Sequence, residues 1–418
     1  MTQRTLSLKQ YGLNTFSSLK VRNYRLYYMG QVISTSGTFM QLIAQSWLVL
    51  KLTDSGTALG LVTALQYLPI LFLGPLGGLV ADRFPKRTIL YLTQSISGIL
   101  ALILGVLVAT NWVTLWAVYI LAFCLGLVNS IDNPARQSFV VEMVGEAELK
   151  NAVTLYSSLV NLARVIGPAI AAAIIAAFGL APCFIINGVS YAAVVIMLYR
   201  MDASELRSSP PLARSRGQLV EGFRYVLASP VLRNSLLMMA IVGTLTFEFQ
   251  VSLPLIARFT FNGNASSYAM LSSAMGIGAV AGGLLIAGQK KVSPDKLVNA
   301  ALFFGLAVLA ASFMPTLGLT VAAMVITGVS SIAFTSLGNS ILQLESTPQM
   351  RGRVMSFWAI AFLGSSTVGG PIVGWFGEFI GPRWGLGVGG IAALVAAFLG
   401  WMALRQVQQR SRLNGRLG

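Results

Sequence analysis

Residues 74–90 read GPLGGLVADRFPKRTIL. A long apolar helix rich in small residues (Gly74, Gly77, Gly78, Ala81) stops abruptly at Asp82-Arg83. The turn Phe84-Pro85 and the basic pair Lys86-Arg87 then precede another apolar run. Small residues let helices approach closely in a bilayer, and a carboxylate with three cations belongs at a membrane surface. An ordinary membrane hairpin is the alternative, so the flanking chain decides.

Composition identifies the solvent. Hydrophobic residues make up 55% of the 418, charged residues 10%, and mean hydropathy is +0.74, far from a soluble domain. A crossing needs about 20 apolar residues, and such runs recur along the whole chain. Six spans are expected near 25–50, 57–81, 88–110, 113–132, 152–179 and 182–200. Six more are expected near 233–257, 266–288, 297–315, 317–343, 354–379 and 384–404. The first run is too long for a cleavable signal and lacks a small-residue cleavage site after it.

A net charge of +16 invites a nucleic-acid reading, but its distribution argues against one. With both termini in the cytoplasm, 25 of the 29 basic residues fall on the cytoplasmic side. Lys51, Arg258 and Arg383 fall opposite, and Arg164 lies inside a span. This is the positive-inside asymmetry of a multi-pass protein of the cytoplasmic membrane. Anionic lipid headgroups are partner enough for the surplus charge. Cys124 and Cys183 have no metal-ligand spacing and read as packing residues. The chain has no histidine, so no His-based metal site, proton shuttle or catalytic triad is available.

The expected fold is an all-α membrane protein of twelve transmembrane helices in two pseudo-symmetric six-helix bundles, residues 1–200 and 233–418. Between them, residues 201–232 form a cytoplasmic linker where Ser208-Ser209-Pro210-Pro211 breaks structure and Arg207, Arg214 and Arg216 accumulate. Leu219, Phe223 and Leu227 recur at helical spacing, which predicts a short amphipathic helix on the membrane surface. A flexible linker is the alternative. The halves echo one another: Arg164-Val165-Ile166-Gly167-Pro168 matches Thr367-Val368-Gly369-Gly370-Pro371 under a shift of 203, which also carries Lys150 onto Arg353. Gly77-Gly78 recurs as Gly282-Gly283. Such internal symmetry is a mark of secondary transporters.

The 74–90 stretch resembles the loop between the second and third helices of the major facilitator superfamily, with Pro85 where the family usually has glycine. Residues 132–172, DNPARQSFVVEMVGEAELKNAVTLYSSLVNLARVIGPAIAA, resemble the branch containing enterobactin exporters and macrolide and drug efflux proteins. EGFRYVLASPVLR (221–233) and FQVSLPLIAR (249–258) resemble the same branch. The resemblance implies alternating access and export. Gly167-Pro168 corresponds to the family's antiporter motif, with Ala171-Ala172 replacing its usual glycines.

Two charges stand inside spans. Glu248 lies roughly 22 Å into the seventh and Arg164 roughly 18 Å into the fifth, at 1.5 Å per residue. At such depth each faces a cavity or a partner. Glu248, on one face with Thr244 and Ser252, is the candidate proton carrier, and Arg164 is its candidate partner. A glutamate or arginine that only fixes helix packing is the alternative. Gln31, Thr35, Thr38 and Gln45, flanked by Ser34 and Gln41, form a polar stripe on the first span. Thr327, Ser331, Thr335 and Asn339 form another on the tenth, and Asn129 adds a polar handle on the fourth. In the family, the first, fourth, seventh and tenth helices line the cavity, which makes these groups candidate cargo contacts. Hydrogen bonding between packed spans is the alternative.

Asp82, Arg83, Lys86 and Arg87 are expected to act in gating, with Asp132 and Arg136 as nearby charge partners and Gly167 and Pro168 as packing elements. A topology signal alone would explain the cations but not Asp82. The resulting reading is a monomeric, cofactor-free exporter of small amphipathic molecules, of drug or siderophore type, driven by proton antiport. A substrate-specific siderophore or lipid exporter is the runner-up. A membrane-embedded enzyme would need a nucleophile–base set or a phosphate-cradling loop, and the sequence offers neither.

Overall fold

The computed structural model describes residues 16–207, 218–287 and 292–414. Arg22–Thr53 (α1), Gly56–Arg83 (α2), Lys86–Ala109 (α3), Leu115–Phe178 (α4) and Ala181–Tyr199 (α5) form a first group of helices. After the short helix Gln218–Ala228 (α6), the chain continues through Pro230–Leu245 (α7) and Phe249–Leu255 (α8). Ala265–Ala287 (α9), Pro294–Phe313 (α10) and Leu317–Leu344 (α11) follow. Pro348–Ala359 (α12), Ser366–Trp375 (α13) and Pro382–Asn414 (α14) complete the second group. Among the described residues, ten helical stretches are long and apolar enough to cross a membrane.

Local chemistry sets the helix starts. Ser55, Thr114, Ser229 and Thr316 each accept a hydrogen bond from a backbone N–H three residues on, and Pro230 follows Ser229 at the first helical position. The helices run up and down between two faces. One carries Asp82, Met201 and α6, and the other carries Asp54, Asn111 and Gly381. They are called here the Asp82 face and the Asp54 face.

Two expectations from the sequence need correction. Residues 133–151, expected as a connection, are helical within the 64-residue α4. It consists of two helices, 115–144 and 146–178, each long enough for one crossing at 1.5 Å per residue. It turns at Gly145, the one residue inside it with non-helical angles, at φ 70° and ψ 178°. The space beside the Gly145 α-carbon is taken by the Arg207 guanidinium, and the Arg207 N–H donates to the Glu142 carbonyl at 2.9 Å.

The seventh span is not one helix: it is interrupted at Thr246–Glu248, between α7 and α8. Thr244 and Ser252 therefore do not share a continuous face with Glu248. Freed backbone at membrane depth survives only when buried in protein. Here the Thr246 hydroxyl donates to the Gly389 carbonyl at 2.7 Å, and the Phe247 ring packs among Phe249, Phe304 and Phe362.

The linker helix α6 is present, with Phe223 and Leu227 exposed and Gly222 and Val226 buried, and the Phe223 ring lies 6.1 Å from the Phe357 ring of α12. It docks on α12 through Glu221–Arg353 at 2.6 Å, and on the start of α12 through the Tyr225 hydroxyl, which accepts from Thr347 N–H at 3.1 Å. Ser208, Ser209, Pro210, Pro211, Arg214 and Arg216 lie outside the described residues.

Glycine and proline cooperate in the packing. Pro134 cannot donate to the Ser130 carbonyl four residues back, and Gly77 of α2 packs onto that carbonyl, where a Cβ would collide. Gly282 of α9 packs in the same way against Val329 of α11. Gly74, by contrast, has open space around it, so not every small residue of the 74–90 stretch serves helix contact. Pro168 likewise leaves the Arg164 carbonyl without its helical donor, and Gly276 of α9 packs there. Gly167 sits against Ser36, Phe39 and Met40 of α1.

The first and second groups meet along α2 with α13 and along α4 with α9. In the α2–α13 contact, Gly56 faces Gly374 and Gly60 faces Gly370, backbone against backbone.

Candidate transport site

The break before α8 puts Glu248 at a helix start beside the line where the two groups meet. Its side chain is buried, with 2% of the residue exposed, and the Oε1 atom has no hydrogen-bond partner. A hydrogen bond to Ser366 of α13 reaches its carboxyl group. Gly369, also on α13, leaves room for that carboxyl group: a Cβ there would lie 3.1 Å from Oε1. Ser252 does not contact the carboxylate. Its hydroxyl donates to the Glu248 backbone carbonyl at 3.1 Å.

Arg164 and Glu248 form no ion pair in this conformation; Arg164 lies over the Phe39 ring at 5.9 Å. Close to both is Tyr67 of α2, which hydrogen-bonds Gln250 of α8. Sequence reasoning missed Tyr67 and Gln250. Their only signal was a polar side chain within an apolar run, which does not say which neighbour it meets.

Nearby, Thr38, Gln41, Gln45, Thr63, Gln66, Asn187, Tyr191 and Gln250 line a narrow cavity of about 40 Å³. That is room for a few water molecules and too small for a drug-sized cargo. Thr38 and Gln45 were expected in such a lining; Asn187 and Tyr191 of α5 were not. Asn187 donates to Gln41 at 2.7 Å and so ties α5 to α1.

On α11 the hydroxyls turn back on their own helix. Thr327 donates to the Ala323 carbonyl at 2.9 Å, Ser331 to Gly328 at 2.9 Å and Thr335 to Ser331 at 3.0 Å. These three bonds stay within the helix. Thr327 has no exposed surface in this conformation, whereas Thr335 and Asn339 are half-buried. Thr244 also bonds within its helix, donating to the Ala240 carbonyl at 2.6 Å. Thr35 and Asn129 are half-buried.

Asp132 and Arg136 are not surface partners of the Asp82 loop. Asp132 is buried inside the first group, where Oδ1 accepts from Thr93 at 2.6 Å and Gln94 at 2.8 Å. Oδ2 accepts two bonds from the Arg136 guanidinium, including Nε at 3.0 Å, and Arg136 Nη1 donates to Gln31 at 2.5 Å. Thr93 and Gln94 are the eighth and ninth residues of α3, so this cluster lies roughly 10–12 Å below the Asp82 face. It joins α1, α3 and α4. Its nearest signal in the sequence was the i,i+4 spacing of Asp132 and Arg136.

Two cations of the 74–90 stretch are also held inside the first group. Lys86 pairs with Glu142 at 2.9 Å. Arg87 donates to the Leu198 and Tyr199 carbonyls, both at 3.0 Å, where a cation offsets the dipole at the C-terminus of α5. Arg83 is exposed, and Asp82 is half-buried with a partner of its own.

A chain of bilayer-length helices whose two groups meet around a buried, half-partnered carboxylate is a transporter architecture, and comparison with known proteins agrees. The profile of the transmembrane secretion effector family matches residues 13–414. The chain belongs to that family, within the major facilitator superfamily. It is 25% identical to the enterobactin exporter EntS of Escherichia coli over 410 residues, covering 96% of each chain. It is 24% identical to the multidrug efflux pump Tap of Mycolicibacterium fortuitum, covering 77% of this chain and 80% of Tap. In fold it resembles a bacterial homologue of the lysosomal transporter Spinster, crystallised inward-facing and unoccupied. That match has a TM-score of 0.68 at 16% identity and covers 96% of this chain and 98% of the other.

Proposed function

We propose that this major facilitator protein is a proton-driven exporter of small amphipathic molecules, of siderophore or drug type, and that Glu248 carries the coupling proton. The observation that carries this reading is the Glu248 carboxyl group. It is buried at a broken helix on the line between the two helix groups, with one oxygen unpartnered. An isolated carboxylate at that depth is costly. Holding a proton removes the cost, and a change in the seam that admits water or cargo restores it. Protonation is thereby linked to conformation.

Two six-helix halves, residues 1–200 and 233–418 joined by 201–232, would rock about this seam with both termini in the cytoplasm. On this topology the Asp82 face is cytoplasmic. Counting α4 as two crossings and α1 as one gives the twelve spans. Arg164, Thr35, Thr38, Gln45, Asn129, Thr335 and Asn339 are the proposed surroundings of the cargo, and Asp82 with Arg83 the proposed cytoplasmic gate.

Similarity to EntS and Tap supports export as the direction and leaves two cargo classes. A siderophore-specific exporter is the second reading, favoured by near full-length similarity to EntS. The test is growth of a strain lacking the gene, across antibiotics and under iron limitation, with siderophore secretion measured. Drug sensitivity restored by the cloned gene supports a broad pump. Loss of secretion without drug sensitivity supports the specific exporter. Neither phenotype, with protein present in the wild-type membrane, contradicts export of either class.

A further inference from the structure

We propose that the Asp54 face is held shut by a two-point polar latch, Asp54–Arg258 and Ser55/Thr57–Glu378, which must break whenever that face opens. The proposal rests on the alternating-access reading above and assigns the residues that set its balance. Asp54 and Ser55 form the two-residue turn between α1 and α2, and Asp54 is fixed in a left-handed conformation at φ 51°. Its carboxylate pairs with Arg258, just beyond α8 in the other helix group. The same guanidinium lies over the Trp47 ring of α1 at 5.9 Å, so opening removes two contacts from Arg258 at once.

The second point is a helix cap supplied from across the seam. Glu378, beyond α13, accepts from the Ser55 hydroxyl at 2.7 Å and from the Thr57 N–H at 2.8 Å. It therefore satisfies a free N–H in the first turn of α2 and places negative charge at the positive end of that helix.

What lies beneath the latch makes it decisive. The α2–α13 seam is glycine on glycine at Gly56 with Gly374 and Gly60 with Gly370, where backbone meets backbone and the small Thr63 side chain lies beside Gly370. Such a surface can part as a rigid body without changing rotamers. The contacts at its mouth are the ones specific to the closed state, so they bias the equilibrium between closed and open. Both carboxylates are exposed, with Asp54 at 61%, so water is at hand to replace the bonds when they break.

The experiment measures spin-label distances between Trp112→Cys and Leu319→Cys, exposed positions on the Asp54 face in opposite helix groups, with Cys124 and Cys183 replaced by serine or alanine. Glu378→Ala and Arg258→Gln should each raise the open-to-closed ratio by at least about threefold, discounted for exposure of the pair. Arg258→Lys should keep the wild-type ratio. Monodisperse elution excludes misfolding, and Glu378→Gln, which keeps an acceptor oxygen, should lie between wild type and Glu378→Ala. Two populations in the wild type, with ratios unmoved by Glu378→Ala, Arg258→Gln and their combination, overturn the latch. A single unchanging distance in the wild type across pH and lipid compositions overturns the alternating-access reading as well.

Discussion

Oε1 of Glu248 lies 3.1 Å from the position a Cβ would take on Gly369, and the same Cβ would collide with the Thr244 carbonyl. The absence of a side chain at Gly369 is therefore part of the carboxylate's site. Gly369→Ala must push α13 away from α7 or displace the carboxyl group. Overpacking of this kind costs about 1–3 kcal/mol. Thermal unfolding of the purified protein should show a lower midpoint for Gly369→Ala and no change for Gly283→Ala, where a Cβ meets open space.

The Asp132–Arg136 pair makes a sharper energetic prediction. Removing one member of a buried ion pair leaves an uncompensated charge, at about 3–5 kcal/mol, whereas removing both costs far less. Arg136→Gln should strongly destabilise the protein, and Asp132→Asn/Arg136→Gln should recover most of the loss. A double-mutant cycle on unfolding midpoints reads this directly. Additive losses would mean that the two side chains act independently.

Arg87 caps the C-terminus of α5, so Arg87→Ala should cost about 1 kcal/mol by removing a cation from the helix end. Arg83→Ala, at an exposed side chain, should leave the unfolding midpoint unchanged. Equal losses at both positions would contradict the capping role.

On α11, Thr335 and Thr327 should differ in transport. Thr335→Ala changes a half-buried group and should alter the apparent KM, while Thr327→Val alters a side chain with no exposed surface and should not. Uptake into inside-out vesicles over a range of cargo concentrations separates the two. An equal KM shift at both would require a conformation in which Thr327 is uncovered.

Much of the fold was legible because bilayer burial writes itself as long apolar runs, and because Gly77 and Gly167 mark close helix contacts. The helical structure of 133–151 on both sides of the Gly145 turn was not, since its charged residues read as a loop while Glu142 and Asp132 are partnered within the first group. The break at Glu248 was hidden too: no glycine or proline lies at 246–248, and burial of Phe247 and Thr246 stabilises the interruption only in three dimensions. Asp54 with Arg258 and Ser55 with Glu378 were out of reach for a simpler reason. Each pair is separated by more than two hundred residues, and one sequence carries no record of which distant charges meet.

The central claim is that Glu248 carries the coupling proton, and transport by Glu248→Gln tests it most directly. Wild-type and variant proteins are compared in inside-out vesicles, with and without an imposed proton gradient, using a cargo identified by the growth screen. The account predicts that the wild type accumulates cargo against its gradient. The Gln variant should bind cargo with near wild-type affinity yet lose gradient-driven accumulation. Accumulation by the Gln variant at the wild-type rate would contradict it.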